Sequence, residues 1–253
     1  MPRYLVRIEY DGAGFVGWQR QDNGPSVQAC LEDAASAIIG GRQKVDVQGA
    51  GRTDAGVHAT GQAAHFDLPD PFDPHKLPLA LNAHLPADIR VWSAGDVSPE
   101  FHARFDAVGR AYRYRISTRR IASALERGRV WHVPSDLDIA AMQEAANHLI
   151  GRHDFTSFRA AQCQAQSPER TLDLLSLDRV GDEVALIAEA RSFLHHQIRN
   201  ITGTLVLVGK GKWRPDDVRL ALEAKDRSAA GPTAPAEGLY LTRVDYPETT
   251  PVN

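Results

Sequence analysis

Gly49-Ala50-Gly51-Arg52-Thr53-Asp54-Ala55-Gly56-Val57-His58 sets a single carboxylate among small residues. Glycine adopts backbone angles that other residues resist and lets another molecule come close to the main chain. The stretch lies between apolar segments, with Val45 and Val47 before it and Ala64 and Phe66 after it. As a loop between two strands it would expose Asp54 with little bulk around it. An ionised carboxylate so placed can serve as a nucleophile or as a base. Arg52, two residues away, brings a guanidinium that would hold the carboxylate ionised and orient it. The competing reading is structural, because aspartate in a glycine-rich loop commonly forms a turn by bonding its own backbone. A phosphate-cradling loop is excluded: the Lys-Ser/Thr pair of a P-loop is missing and the glycine spacing is not that of a dinucleotide-binding turn.

Two further groups bear chemistry. In Arg110-Ala111-Tyr112-Arg113-Tyr114-Arg115, strand alternation puts Tyr112 and Tyr114 on one face and Arg113 and Arg115 on the other. The span from Arg104 to Arg129 holds eight arginines and only two acids, Asp106 and Glu126. A solvated face can explain such a run. Arginine interleaved with tyrosine favours phosphate and base contact instead. In Phe193-Leu194-His195-His196-Gln197-Ile198-Arg199-Asn200-Ile201, the spacing of Leu194, Ile198, Ile201 and Leu205 predicts a helix opening there and reaching Val208. Arg199 adjoins the apolar stripe, where a charge is costly unless paired, so a carboxylate partner is expected. No histidine spacing is that of a metal site. His58 and His65 straddle a loop and a strand, and adjacent His195 and His196 on a helix point in different directions.

The elements that must position these groups mix strands and helices. Alternation of Tyr4, Val6, Ile8 and Tyr10 predicts a strand with one buried side. Ser26 caps a helix to about Ile39. Strands are expected over 62–68, 89–94, 108–117 and 238–246, and a hairpin over 172–190 turning at Gly181-Asp182. Helices are expected over 79–84, 139–150 and 215–223. Residues 151–159 read as a loop mixing aromatics and charge, and 160–169 as a polar connector.

A chain of 253 residues, 43% of them hydrophobic and 24% charged, can bury a core and hold one large or two small domains. Net charge is −3, so any nucleic-acid affinity must come from the local arginine cluster. Cys30 and Cys163 lack zinc spacing and fit reduced thiols. No apolar run spans a membrane and no leader pattern opens the chain, so a cytoplasmic protein is expected.

Gly51-Arg52-Thr53-Asp54-Ala55-Gly56-Val57-His58-Ala59 resembles the signature of the TruA family of tRNA pseudouridine synthases. Similarity continues at the Tyr112 strand, at Gly151–Arg159, at Phe193–Ile201 and at Ala234–Leu241, nearly end to end. The resemblance implies an isomerase that converts uridine to pseudouridine on the 3′ side of the tRNA anticodon stem-loop, at positions 38–40. It implies Asp54 as the catalytic residue and Tyr112 as the ring stacked on the target uracil. Arg199 would pair with Asp54, and Arg52 would fill the gap left by the flipped base or hold its backbone. It implies an α/β (α+β) fold of two similar domains, 1–107 and 108–253, each a largely antiparallel sheet with helices on one side, facing each other across a catalytic cleft. The partners implied are tRNA and a second subunit in a homodimer, with no metal, no small-molecule cofactor and no membrane.

Two other classes compete. An RNA-binding protein without chemistry would keep the arginine cluster but have no use for Asp54, Tyr112 and Arg199 together. A hydrolase with an aspartate nucleophile would call for a metal constellation or a second carboxylate, and no such pattern stands out.

Overall fold

The computed structural model describes residues 1–248 and 250. From the N-terminus the elements are β1 (Arg3–Tyr10), α1 (Val27–Ile38), β2 (Gln48–Gly49), β3 (His58–Asp67), α2 (Leu77–Asn82) and β4 (Ile89–Val97). There follow β5 (Gly109–Ser117), β6 (Trp131–His132), α3 (Ile139–Asn147), β7 (Gly151–Asp154), β8 (Glu169–Leu172), β9 (Leu174–Val180) and β10 (Glu183–Ala190). The last are α4 (Gln197–Gly209), α5 (Pro215–Glu223) and β11 (Leu239–Asp245).

These elements fall into two compact units, Met1–Arg110 with Tyr240–Asn253, and Ala111–Leu239. The division differs from the one expected at 107/108, because the C-terminal strand goes with the first unit. Tyr240 and Leu241 on β11 pair in parallel with His58 and Ala59 on β3, a long-range match that local pattern does not reveal.

In the first unit the strands run β4-β1-β3-β11, with β2 paired to β3. β1 is antiparallel to both β3 and β4. The Ser26 hydroxyl accepts the Ala29 N–H at 3.3 Å and starts α1, which buries Val27, Leu31, Ala34 and Ala35. β1 departs from the expected single buried side: Leu5 and Arg7 are buried as well as Tyr4, Val6 and Ile8. The strand is central, and its second face is covered. The Arg7 guanidinium lies 5.2 Å from the centre of the Tyr246 ring and donates to the Val244 carbonyl at 2.7 Å. Tyr246 in turn donates its hydroxyl to the Ala103 carbonyl at 2.7 Å. Each fully buried aliphatic side chain in such a core contributes about 1.5–3 kcal/mol.

The second unit carries strands in the order β5-β10-β9, with β6 parallel to β5. β9 and β10 form the antiparallel hairpin, and β7 and β8 form a separate antiparallel pair. Residues 151–154, expected as loop, are therefore strand, because β8 supplies a partner from beyond the polar connector. Both units join sheet to helix, and the sheets are mostly antiparallel, as the expected fold class requires. Among the described residues no helix is long and apolar enough to cross a membrane.

His65 on β3 shows how this packing controls charge. Its Nδ1 accepts the Ala103 N–H at 3.1 Å, and burial pushes its pKa down to about 4. In an unfolded chain the same imidazole titrates near 6.5, so between those values the unfolded state binds the extra proton. Stability contributed by neutral His65 is complete above about pH 6.5 and is lost as pH falls towards 4. Urea titrations from pH 7 to 4 should show wild type losing about 2–3 kcal/mol more than His65→Asn, which keeps an acceptor but does not titrate. Parallel profiles would show that His65 is not the group responsible.

Candidate active site

Asp54 lies between β2 and β3 in a turn closed by the Val57 N–H, which donates to the Asp54 carbonyl at 3.1 Å. Gly56 permits the turn: its φ of +77° is in the left-handed region that glycine favours. The two-residue β2 replaces the longer strand expected through Val45 and Val47, which are buried without ladder partners of their own.

The loop backbone is held from behind. Trp18 N–H donates to the Thr53 carbonyl at 3.0 Å, and Gly17 forms an isolated antiparallel bridge with Asp54. Gln62 Nε2 donates to the Gly51 carbonyl at 3.0 Å. The Arg110 guanidinium donates to the carbonyls of Ala50 and Arg104 at 2.8 and 2.9 Å. Tyr10 Oη lies 2.7 Å from Thr53 Oγ1. His58 Nδ1 accepts the Gly12 N–H at 3.0 Å, and its ring stacks on Tyr240 at 4.7 Å. Ala50, Thr53, Val57 and His58 are buried, whereas Asp54 is half-buried and Arg52 is exposed. Arg52 makes no ion pair among the described residues. The main chain is thus fixed by buried groups while the two charged side chains keep access to solvent. Sequence reasoning placed Tyr10 only in the core and attached no role to Gln62. A fully buried amide on a strand leaves no local signature.

The second unit holds the other two candidates. Tyr112 on β5 is 9% exposed and meets the Phe193 ring edge-on at 5.1 Å. Tyr114, on the same face, is structural: it donates its hydroxyl to the Pro235 carbonyl at 2.7 Å, and burial pushes its phenol far above the ordinary range. Arg199, half-buried on α4, donates Nε to the Ala234 carbonyl at 2.8 Å, and Ala234 N–H returns a bond to the Arg199 carbonyl at 3.0 Å. α4 starts at Gln197 rather than at Phe193. His196 precedes it with φ +62°, an uncommon conformation for a side chain larger than Asn. His195 and His196 therefore do not diverge as neighbours on a helix would; their rings lie 4.1 Å apart.

The arginine cluster divides by use. Arg113 and Arg115 reach the Glu183 carboxylate at 2.7 and 2.8 Å, and Arg115 also reaches Glu126 at 3.0 Å. Hydrogen bonding from Arg115 holds the Glu183 carboxyl below its usual range. Arg119, Arg120, Arg127 and Arg129 are exposed, where an anionic polymer could reach them.

A family model described as tRNA pseudouridine synthase matches residues 7–106 and 145–247. The chain is 56% identical over 251 residues to a protein of Rhodospirillum rubrum named tRNA pseudouridine synthase A, covering 99% of this chain and 90% of that one. A protein of the same name from Sinorhizobium fredii is 55% identical over 97% of this chain and 100% of its own length. Another from Afipia carboxidovorans is 58% identical with the same two coverages.

Proposed function

Because the chain belongs to the tRNA pseudouridine synthase family, we propose that it isomerises uridine to pseudouridine in tRNA, at positions 38–40 on the 3′ side of the anticodon stem-loop. In this reaction the N1–C1′ bond breaks, the base turns, a C5–C1′ bond forms, the hydrogen at C5 leaves as a proton, and N1 takes up a proton. Nothing is oxidised or reduced, and no second substrate enters the balance.

The observation that carries the reading is the Asp54 loop, a carboxylate with solvent access on a backbone fixed by buried bonds. Asp54 is assigned as the nucleophile or base that begins the chemistry. Tyr112 is assigned as the platform for the uracil. Arg199 is assigned as the cation that keeps the carboxylate ionised, and the hold of Ala234 on both its Nε and its carbonyl supports a fixed orientation. Arg52, exposed beside Asp54, is assigned to the backbone of the flipped nucleotide, since a base inside folded RNA must leave its stack to react. Exposed arginines of the 119–129 segment supply phosphate contacts, and RNA shape supplies most of the selectivity. The resemblance adds a cytoplasmic homodimer in which one tRNA bridges two subunits, which light scattering of the free and tRNA-bound protein tests.

Carbodiimide labelling followed by primer extension on treated tRNA maps the product. Stops confined to uridines at 38–40 are expected. Stops elsewhere in the tRNA would keep the reaction and overturn the assigned position.

A further inference from the structure

We propose that Gln62, Tyr10 and Thr53 form a buried hydrogen-bond relay that sets the aim of Asp54, making Tyr10 and Thr53 positioning residues for the reaction. The inference rests on Asp54 being the reacting carboxylate.

All three side chains are buried, with exposures of 0% for Gln62, 4% for Tyr10 and 7% for Thr53. Donor chemistry orients the Gln62 end of the relay. Gln62 Oε1 accepts the Ala63 N–H at 3.2 Å, so its Nε2 is the end that faces the Gly51 carbonyl at 3.0 Å and Tyr10 Oη at 3.4 Å. An amide nitrogen only donates. Tyr10 Oη therefore accepts from Gln62, and it shares a hydrogen bond of 2.7 Å with Thr53 Oγ1 in which either hydroxyl can donate.

The relay grips the residues on both sides of Arg52: the carbonyl of Gly51 and the side chain of Thr53, the residue that immediately precedes Asp54. Trp18 N–H holds the Thr53 carbonyl as well. Thr53 is thus fixed at its side chain and its carbonyl, and the start of the Asp54 backbone is fixed with it. Buried bonds of this kind are strengthened by their low-dielectric surroundings and specify one geometry. Rates respond steeply to the placement of a reacting group, with losses of about 100-fold for a shift near 1 Å. Binding of a large RNA through dispersed phosphate contacts does not share that sensitivity.

Tyr10→Phe removes the hydroxyl without changing the ring. Thr53→Val removes the hydroxyl at constant shape, and Thr53→Ser restores it. On the full chain the readouts are the single-turnover rate of hydrogen release from uridine C5, tRNA affinity and the unfolding midpoint. Tyr10→Phe and Thr53→Val should lower the rate about 10- to 100-fold with tRNA affinity unchanged, and Thr53→Ser should return it close to wild type. Wild-type rates in both variants, whatever the midpoints, would overturn the relay. So would a Thr53→Ser as slow as Thr53→Val, because packing and not the hydroxyl would then matter. If Tyr10→Phe does not fold, the two Thr53 variants decide. Absence of release by wild type would remove the reaction assignment itself, whereas wild-type release with unaffected variants removes only the relay.

Discussion

Asp54→Asn should lose at least about 100- to 10,000-fold in single-turnover rate and bind tRNA as wild type does. The substitution exchanges a charged, nucleophilic oxygen for an amide of the same shape. The bonds that shape the loop come from Trp18, Gln62, Tyr10, Arg110 and the Val57 N–H. They engage main-chain atoms or Thr53, so the amide leaves them in place. RNA affinity, drawn mainly from cation–phosphate contacts, has no reason to fall. Filter binding beside the rate measurement separates the two. A variant that turned over normally would remove Asp54 from the chemistry, and one that lost affinity in step with rate would make it a binding residue.

Gly203→Ala should be the most disruptive Gly→Ala substitution in the second unit, with a loss of about 3 kcal/mol or more. Gly203 lies on α4 beneath residues 230–234, and a β-carbon there would overlap the Pro232 carbonyl oxygen and stand 3.2 Å from the Ala234 nitrogen. The overlying segment cannot simply move aside. Gly231 N–H donates to Thr204 Oγ1 at 2.9 Å, Thr233 Oγ1 to Asn200 Oδ1 at 2.6 Å, and Ala234 N–H to the Arg199 carbonyl at 3.0 Å. Asn200 is itself fully buried, with its amide on the Phe158 carbonyl at 2.9 Å. Displacing the segment also removes the carbonyl that orients Arg199. Thermal unfolding should show the lower stability, and the folded fraction at low temperature should still turn over slowly. Wild-type stability would mean that the segment packs on α4 less closely than the structure has it.

The candidate groups stand out in the sequence more plainly than what supports them. Asp54, Tyr112 and Arg199 sit in contiguous strings whose composition is visible along the chain. What holds those strings does not lie beside them. Tyr10 is 43 residues from Thr53, and Ala234 reaches Arg199 from 35 residues away. Periodicity reports which face a residue takes, not which partner fills it. That is also why β1 read as half-buried: its alternation named Tyr4, Val6 and Ile8, while the partners of Arg7, Val244 and Tyr246, come from the far end of the chain. The eight arginines illustrate the same limit. Charge counting treated them alike, yet Glu183 engages Arg113 and Arg115, whereas Arg119, Arg120, Arg127 and Arg129 are exposed.

The central claim is tested most directly by incubating wild-type protein with tRNA carrying tritium at uridine C5. Release of tritium to water, with the RNA chain intact and its mass otherwise unchanged, is the predicted result, because C5 must give up its hydrogen to form the new glycosidic bond. Tight tRNA binding with no release would contradict it and leave an RNA-binding protein. Free uracil or a cut strand would contradict it in the other direction and point to a hydrolase.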